Sequence, residues 1–111
     1  MILLNEALDD IYDQSKKDPY KSLYFSIILQ ALLDVSKPKK SDEDSSIRLL
    51  RDQANAWFFT PIGVTCDNFE SICDYAGLTP KYVRKFAYHV INNSTLDNII
   101  HIRKKITSLL G

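Results

Sequence analysis

The reading of this chain turns on residues 67–91, DNFESICDYAGLTPKYVRKFAYHVI. Asp67 followed three residues later by Glu70 is a capping-box arrangement, and Phe69, Ile72 and Cys73 then give a short helix one apolar face. Gly77 stands where that helix must stop, because glycine enters the left-handed backbone conformation without the clash a Cβ would bring. Thr79-Pro80 restarts the chain, with threonine as cap and proline at the first helical position. Val83, Phe86, Ala87 and Val90 recur at helical spacing and predict the buried face of a second helix. Leu78 is placed to plug the gap between the two.

Working outward, the remaining sequence is also helical in period. Leu4, Leu8 and Ile11, with Ala7 and Tyr12 beside them and Asp9, Asp10 and Asp13 opposite, predict an amphipathic first helix. Asp18-Pro19 opens a second that runs to about Val35, and its apolar residues (among them Leu23, Tyr24, Phe25, Ile27, Ile28, Leu29, Leu32 and Leu33) cover most of its circumference. That is the pattern of a central core helix. Ser36 to Ser46, SKPKKSDEDSS, holds no apolar residue and predicts a solvated loop, its Asp42, Glu43 and Asp44 lacking the spacing of a calcium site. Ser45 or Ser46 caps a third helix carrying Ile47, Leu50, Ala54, Trp57 and Phe58, and Thr60 to Cys66 reads as a connecting turn.

A last helix, about 95–110, opens on a capping box formed by Ser94 and Asp97. Ile99, Ile102, Ile106 and Leu109 follow at three and four residues, the spacing of a coiled-coil seam, and Leu96, Ile100 and Leu110 add a second strip. The two strips serve one core, or one of them serves as the interface of a homodimer. Together these segments predict a single all-α domain over 1–111, a compact bundle of about six helices that contains a helix-turn-helix at about 67–91.

Composition narrows the function classes. The chain has 111 residues, 45% of them hydrophobic, which is enough for a core without metals or disulfides. Three Gly and four Pro are too few for the many tight turns of a sandwich or barrel. Cys66 and Cys73, with six residues between them, match neither a redox nor a zinc spacing, and the reduced interior of a cell is the expected setting. The most apolar segment, Leu23 to Val35, is shorter than the roughly 20 residues a bilayer requires, so a cytoplasmic protein with no membrane association is expected. His89 and His101 belong to no metal, Walker or dinucleotide motif, and neither an enzyme nor a cofactor is expected.

Fourteen cations balance 14 anions, but they are not evenly distributed. Residues 79–111 hold Lys81, Arg84, Lys85, Arg103, Lys104 and Lys105 against Asp97 alone, a net of +5, so residues 1–78 carry −5.

Cys73, Gly77, Leu78, Val83 and Phe86 sit at the offsets of the helix-turn-helix superfamily, which this stretch resembles, with cysteine where the family most often has alanine. More narrowly, Trp57-Phe58, Phe69-Glu70, Ile72-Cys73, Gly77-Leu78, Pro80 and Tyr82-Val83-Arg84 resemble a group of small bacterial and phage helical proteins. The resemblance implies binding of double-stranded DNA, in a regulatory or DNA-packaging setting, with the second helix of the pair in the major groove. It assigns the outward positions to Thr79, Pro80, Lys81, Arg84, Lys85 and Tyr88, with Arg84 suited to guanine and the lysines to phosphate. The alternative is a helical protein-protein adaptor in which Tyr82, Tyr88 and the C-terminal isoleucines form the contact surface.

Overall fold

In the computed structural model, residues 18–37, 41–92 and 96–110 are described, and all their regular structure is helical. The helices are α1 (Pro19–Val35), α2 (Ser45–Phe59), α3 (Val64–Ala76), α4 (Pro80–Asn92) and α5 (Leu96–Leu110). The expected amphipathic helix over residues 4–13 lies outside the described residues, as do Ser94 and the side chain of Asp97.

α1 starts where the sequence directs. The Asp18 carboxylate accepts from the amide of Tyr20 at 2.9 Å, and Pro19 occupies the first turn, where its missing N–H costs nothing. Phe25, Ile28, Leu29, Leu32 and Val35 are buried, and the helix packs most extensively on α3, then on α2 and α5. The rest of the core is Ala54 and Phe58 from α2, Phe69, Cys73 and Ala76 from α3, Val83, Phe86, Ala87 and Val90 from α4, and Ile102 and Ile106 from α5. Each fully buried Phe or Ile contributes on the order of 1.5–3 kcal/mol. The radius of gyration, 13.7 Å, is near the roughly 13 Å expected of a folded domain of this size.

Three local expectations are corrected. α2 is capped by Asp44, whose carboxylate accepts from the amide of Ser46 at 3.1 Å; a carboxylate one residue earlier takes the place expected of Ser45 or Ser46. Glu43, read as solvated, is almost wholly buried and makes two hydrogen bonds with the Arg51 guanidinium, at 2.9 and 2.5 Å. This hydrogen-bonded pairing raises the Arg51 pKa above its ordinary value despite the burial that opposes it. Two paired charges are tolerable inside a protein, but either one alone is costly. Finally, α3 begins at Val64 rather than at Asp67. Gly63 (φ 100°) turns the chain into the helix, and its carbonyl accepts from the amide of Asp67 at 3.0 Å, so Asp67 lies in the first turn, where the helix dipole favours an anion.

The seam expected of α5 is also revised. Ile102 and Ile106 are buried in the chain's own core and Leu109 packs partly against it, so these three are covered within one subunit. The side chain of Ile99 is outside the described set. Arg103 turns inward as well, its Nη1 donating to the carbonyl of Leu33 at 2.6 Å and to Ser36 Oγ at 3.0 Å. It thereby satisfies a carbonyl that the end of α1 leaves without a helical partner.

The bend between α3 and α4 is a Schellman turn. Gly77 has φ 78°, its N–H donates to Asp74 at 3.0 Å, and the N–H of Leu78 donates to Cys73 at 2.9 Å. A Cβ at Gly77 would meet only the side chain of Lys21, at 3.5 Å, an ordinary contact, so the requirement is for backbone conformation and not for space. Gly77→Ala is expected to destabilise the fold by about 1–2 kcal/mol, the cost of a left-handed L-residue. Urea denaturation checks this, and an unchanged midpoint would contradict it.

Candidate nucleic-acid interface

α4 divides its side chains between two environments. Val83, Phe86, Ala87 and Val90 are buried, while Lys81, Lys85 and Tyr88 are exposed. Thr79, just before the helix, is exposed, and its carbonyl accepts from the amide of Val83 at 3.2 Å; Pro80 is half-buried. Four of the six residues assigned from the sequence therefore reach solvent from one short segment.

Arg84 does not share their exposure. Its Nε donates to the carbonyl of Phe58 at 2.9 Å and its Nη2 to Cys66 Sγ at 3.4 Å. The guanidinium carbon lies 4.7 Å from the centre of the Phe69 ring, and Glu70 Oε1 is 3.8 Å from Nη2. Cys66 in turn donates its S–H to Glu70 at 3.4 Å. One side chain thus ties α4 to the end of α2 and the start of α3. A contact from Arg84 to guanine would require those bonds to be given up.

The neighbours of Arg84 are themselves interlocked. Phe58 and Phe69 are fully buried, with ring centres 5.8 Å apart in an edge-on arrangement. Trp57 packs edge-on against Phe69 at 4.9 Å, and its indole N–H donates to Asn68 at 2.8 Å. This spends the aromatic cluster on packing, as its helical spacing predicts, instead of presenting it to bases. Cys73 is also fully buried, and that burial pushes its thiol pKa up to about 12, with nearby Arg84 opposing the rise. It is an inert core residue.

The remaining basic residues are unequal. Arg103 is committed to α1, Lys105 is half-buried, and Lys104 is exposed. The charge excess of residues 79–111 therefore reaches solvent mainly through Lys81, Lys85 and Lys104. Among the described residues no group of three or more His, Cys, Asp or Glu is arranged to hold a metal ion, and no helix is long and apolar enough to cross a membrane.

Sequence reasoning missed the inward role of Arg84. Its partners lie 26, 18 and 14 positions away, at Phe58, Cys66 and Glu70, and no local pattern links them. Its position between Val83 and Phe86, both core residues, was the available hint. Comparison with protein-family models, curated proteins and solved structures finds no match to this chain.

Two outcomes follow from this geometry. Arg84→Ala should lower stability by about 1–3 kcal/mol, since it leaves a carbonyl and a thiol without their charged donor; Arg84→Lys should not fully restore it, because an ammonium lacks the planar fork. Thermal melts of the three proteins distinguish this from a surface role, in which all would melt alike. Cys73 gives a second expectation. A thiol whose folded pKa is raised stabilises the fold fully below the unfolded value of 9.0, and that contribution is lost as pH climbs towards about 12. Stability measured by urea between pH 8 and 10.5 should therefore fall more steeply in the native sequence than in Cys73→Ala, and parallel curves would refute it.

Proposed function

We propose that the protein binds double-stranded DNA in the manner of helix-turn-helix proteins, with α4 entering the major groove. The observation that supports this best is the division of α4 into a buried apolar side and an exposed side bearing Lys81, Lys85 and Tyr88 directly after the Gly77 turn. Lys81 and Lys85 contact phosphates, and Thr79 and Tyr88 meet the sugar edges or bases. Arg84 acts from beneath as a positioning residue that holds the helix at its angle. The positive net charge of residues 79–111 favours a polyanion on this side of the chain.

With so few free cations a single copy binds weakly and without strong sequence preference. Its affinity therefore falls with salt in proportion to the few phosphates it neutralises.

Exposed Ile62 and Val64, flanking Gly63 at the entrance to α3, favour a second reading as a protein-protein adaptor. Fluorescence anisotropy with a random duplex separates the two. DNA binding predicts a log–log salt slope of about −2 to −3, made shallower by roughly one in Lys85→Ala and by about two in Lys81→Ala/Lys85→Ala. An absence of binding at low salt, or variants that bind like the parent, would reject it and leave the adaptor reading.

A further inference from the structure

Lys21 belongs to the part of the sequence, residues 1–78, whose net charge is −5, yet the fold brings its charge to the turn between α3 and α4. A Cβ built at Gly77 would stand 3.5 Å from Lys21 Nζ and Cε and 3.6 Å from Cδ, so the end of the side chain lies across the turn. Packing holds α1 in this place. Its broadest contact is with α3, and Tyr24 meets Tyr75 with ring centres 4.9 Å apart. Going back along α1 from Tyr24 to Lys21 goes forward along α3 from Tyr75 to Gly77. The two helices therefore run in opposite directions there, and a lysine one turn before Tyr24 reaches just past the end of α3.

The ammonium is left open to a ligand. Lys21 is exposed, and its side chain makes no ion pair or hydrogen bond among the described residues. Asp18, the acid nearest to it on α1, is engaged as the helix cap and accepts from the backbone amides of Tyr20 and Lys21. The carbonyl end of α3 attracts a cation through the helix dipole and keeps the ammonium at the turn. Beyond Gly77 the chain passes exposed Thr79 and enters α4, where exposed Lys81 and Lys85 stand four and eight residues after the glycine. Four residues span at most about 14 Å even when fully extended. Cations from two helices thus gather around the turn and the first turns of α4.

We propose that Lys21 is a third phosphate-binding residue of the interface, reaching the DNA backbone from the turn while Lys81 and Lys85 hold it from α4. The inference rests on the reading of α4 as the helix that faces DNA. A lysine at this place is a point charge at the end of a flexible stem, so it adds affinity and carries no base readout. It also gives α1, otherwise a core helix, a direct part in binding.

Anisotropy titrations of the full chain with a random duplex over a range of salt test this, with thermal melts to confirm that each variant folds. Three phosphate contacts give a log–log slope of about −2.7, and Lys21→Gln is expected to reduce it to about −1.8. Between about 50 and 200 mM salt the parent then loses affinity roughly 40-fold and the variant roughly 12-fold. Lys21→Arg should keep the parent's slope. The slope of about −0.9 left in Lys81→Ala/Lys85→Ala should vanish when Lys21→Gln is added. If Lys21→Gln keeps the parent's slope while Lys85→Ala becomes shallower, the inference is overturned and the DNA reading stands. Weaker binding at an unchanged slope also overturns it, since Lys21 then acts only through the packing of α1. A parent that binds no DNA at low salt removes both. Should Lys21→Gln fail to fold, acetylation of the unmodified protein decides the matter: bound duplex shields the Lys21 amine if the inference holds, and an unchanged rate of modification, read by mass spectrometry, refutes it.

Discussion

The junction around the Arg84 guanidinium holds the second, third and fourth helices in one arrangement. Two fully buried rings, Phe58 and Phe69, pack edge to face, and Arg84 lies over one of them while bonding the backbone carbonyl of the other. Planar, permanently charged and able to donate in several directions, a guanidinium suits this junction as no other side chain does. The orientation of α4, and with it the direction in which Lys81 and Lys85 point, depends on this contact as much as on the glycine turn that precedes the helix.

The same economy governs two further arginines. Arg51 is paired with a buried carboxylate, and Arg103 closes the end of α1. Arg51, Arg84 and Arg103 bond inward while the fourth arginine, Arg48, is exposed, and the exposed cations of the C-terminal third are lysines. Arginine here serves construction, and the electrostatic face is left to lysine, whose flexible point charge suits phosphate but carries little base specificity. Under the proposed function this favours affinity that depends on backbone charge over readout of a defined site.

Much of the fold is legible in local chemistry. Asp18-Pro19 opens α1, Gly77 closes α3, Pro80 opens α4, and the buried residues of α4 are those its period selects. Each rests on backbone geometry or on a spacing of three and four residues, which neighbouring residues determine by themselves. The errors share one cause. Asp67 looked like a cap because its own spacing to Glu70 permits one, yet Gly63 opens the helix a turn earlier; Glu43 looked solvated because its partner Arg51 stands eight positions on, beyond the loop.

What the amino-acid order determined alone was the helical class, the break at Gly77 and the apolar face of α4, since these follow from Cβ sterics and from periodic hydrophobicity. Tertiary structure decided which cations face water. Arg84 and Arg103 look no different in sequence from Lys81 and Lys85, and only the approach of Phe58 and Leu33, carbonyls brought close by packing of distant helices, draws the arginines inward. It likewise decided that Ile102 and Ile106 belong to the chain's own core, because a strip of isoleucines records that it will be buried but not what will bury it.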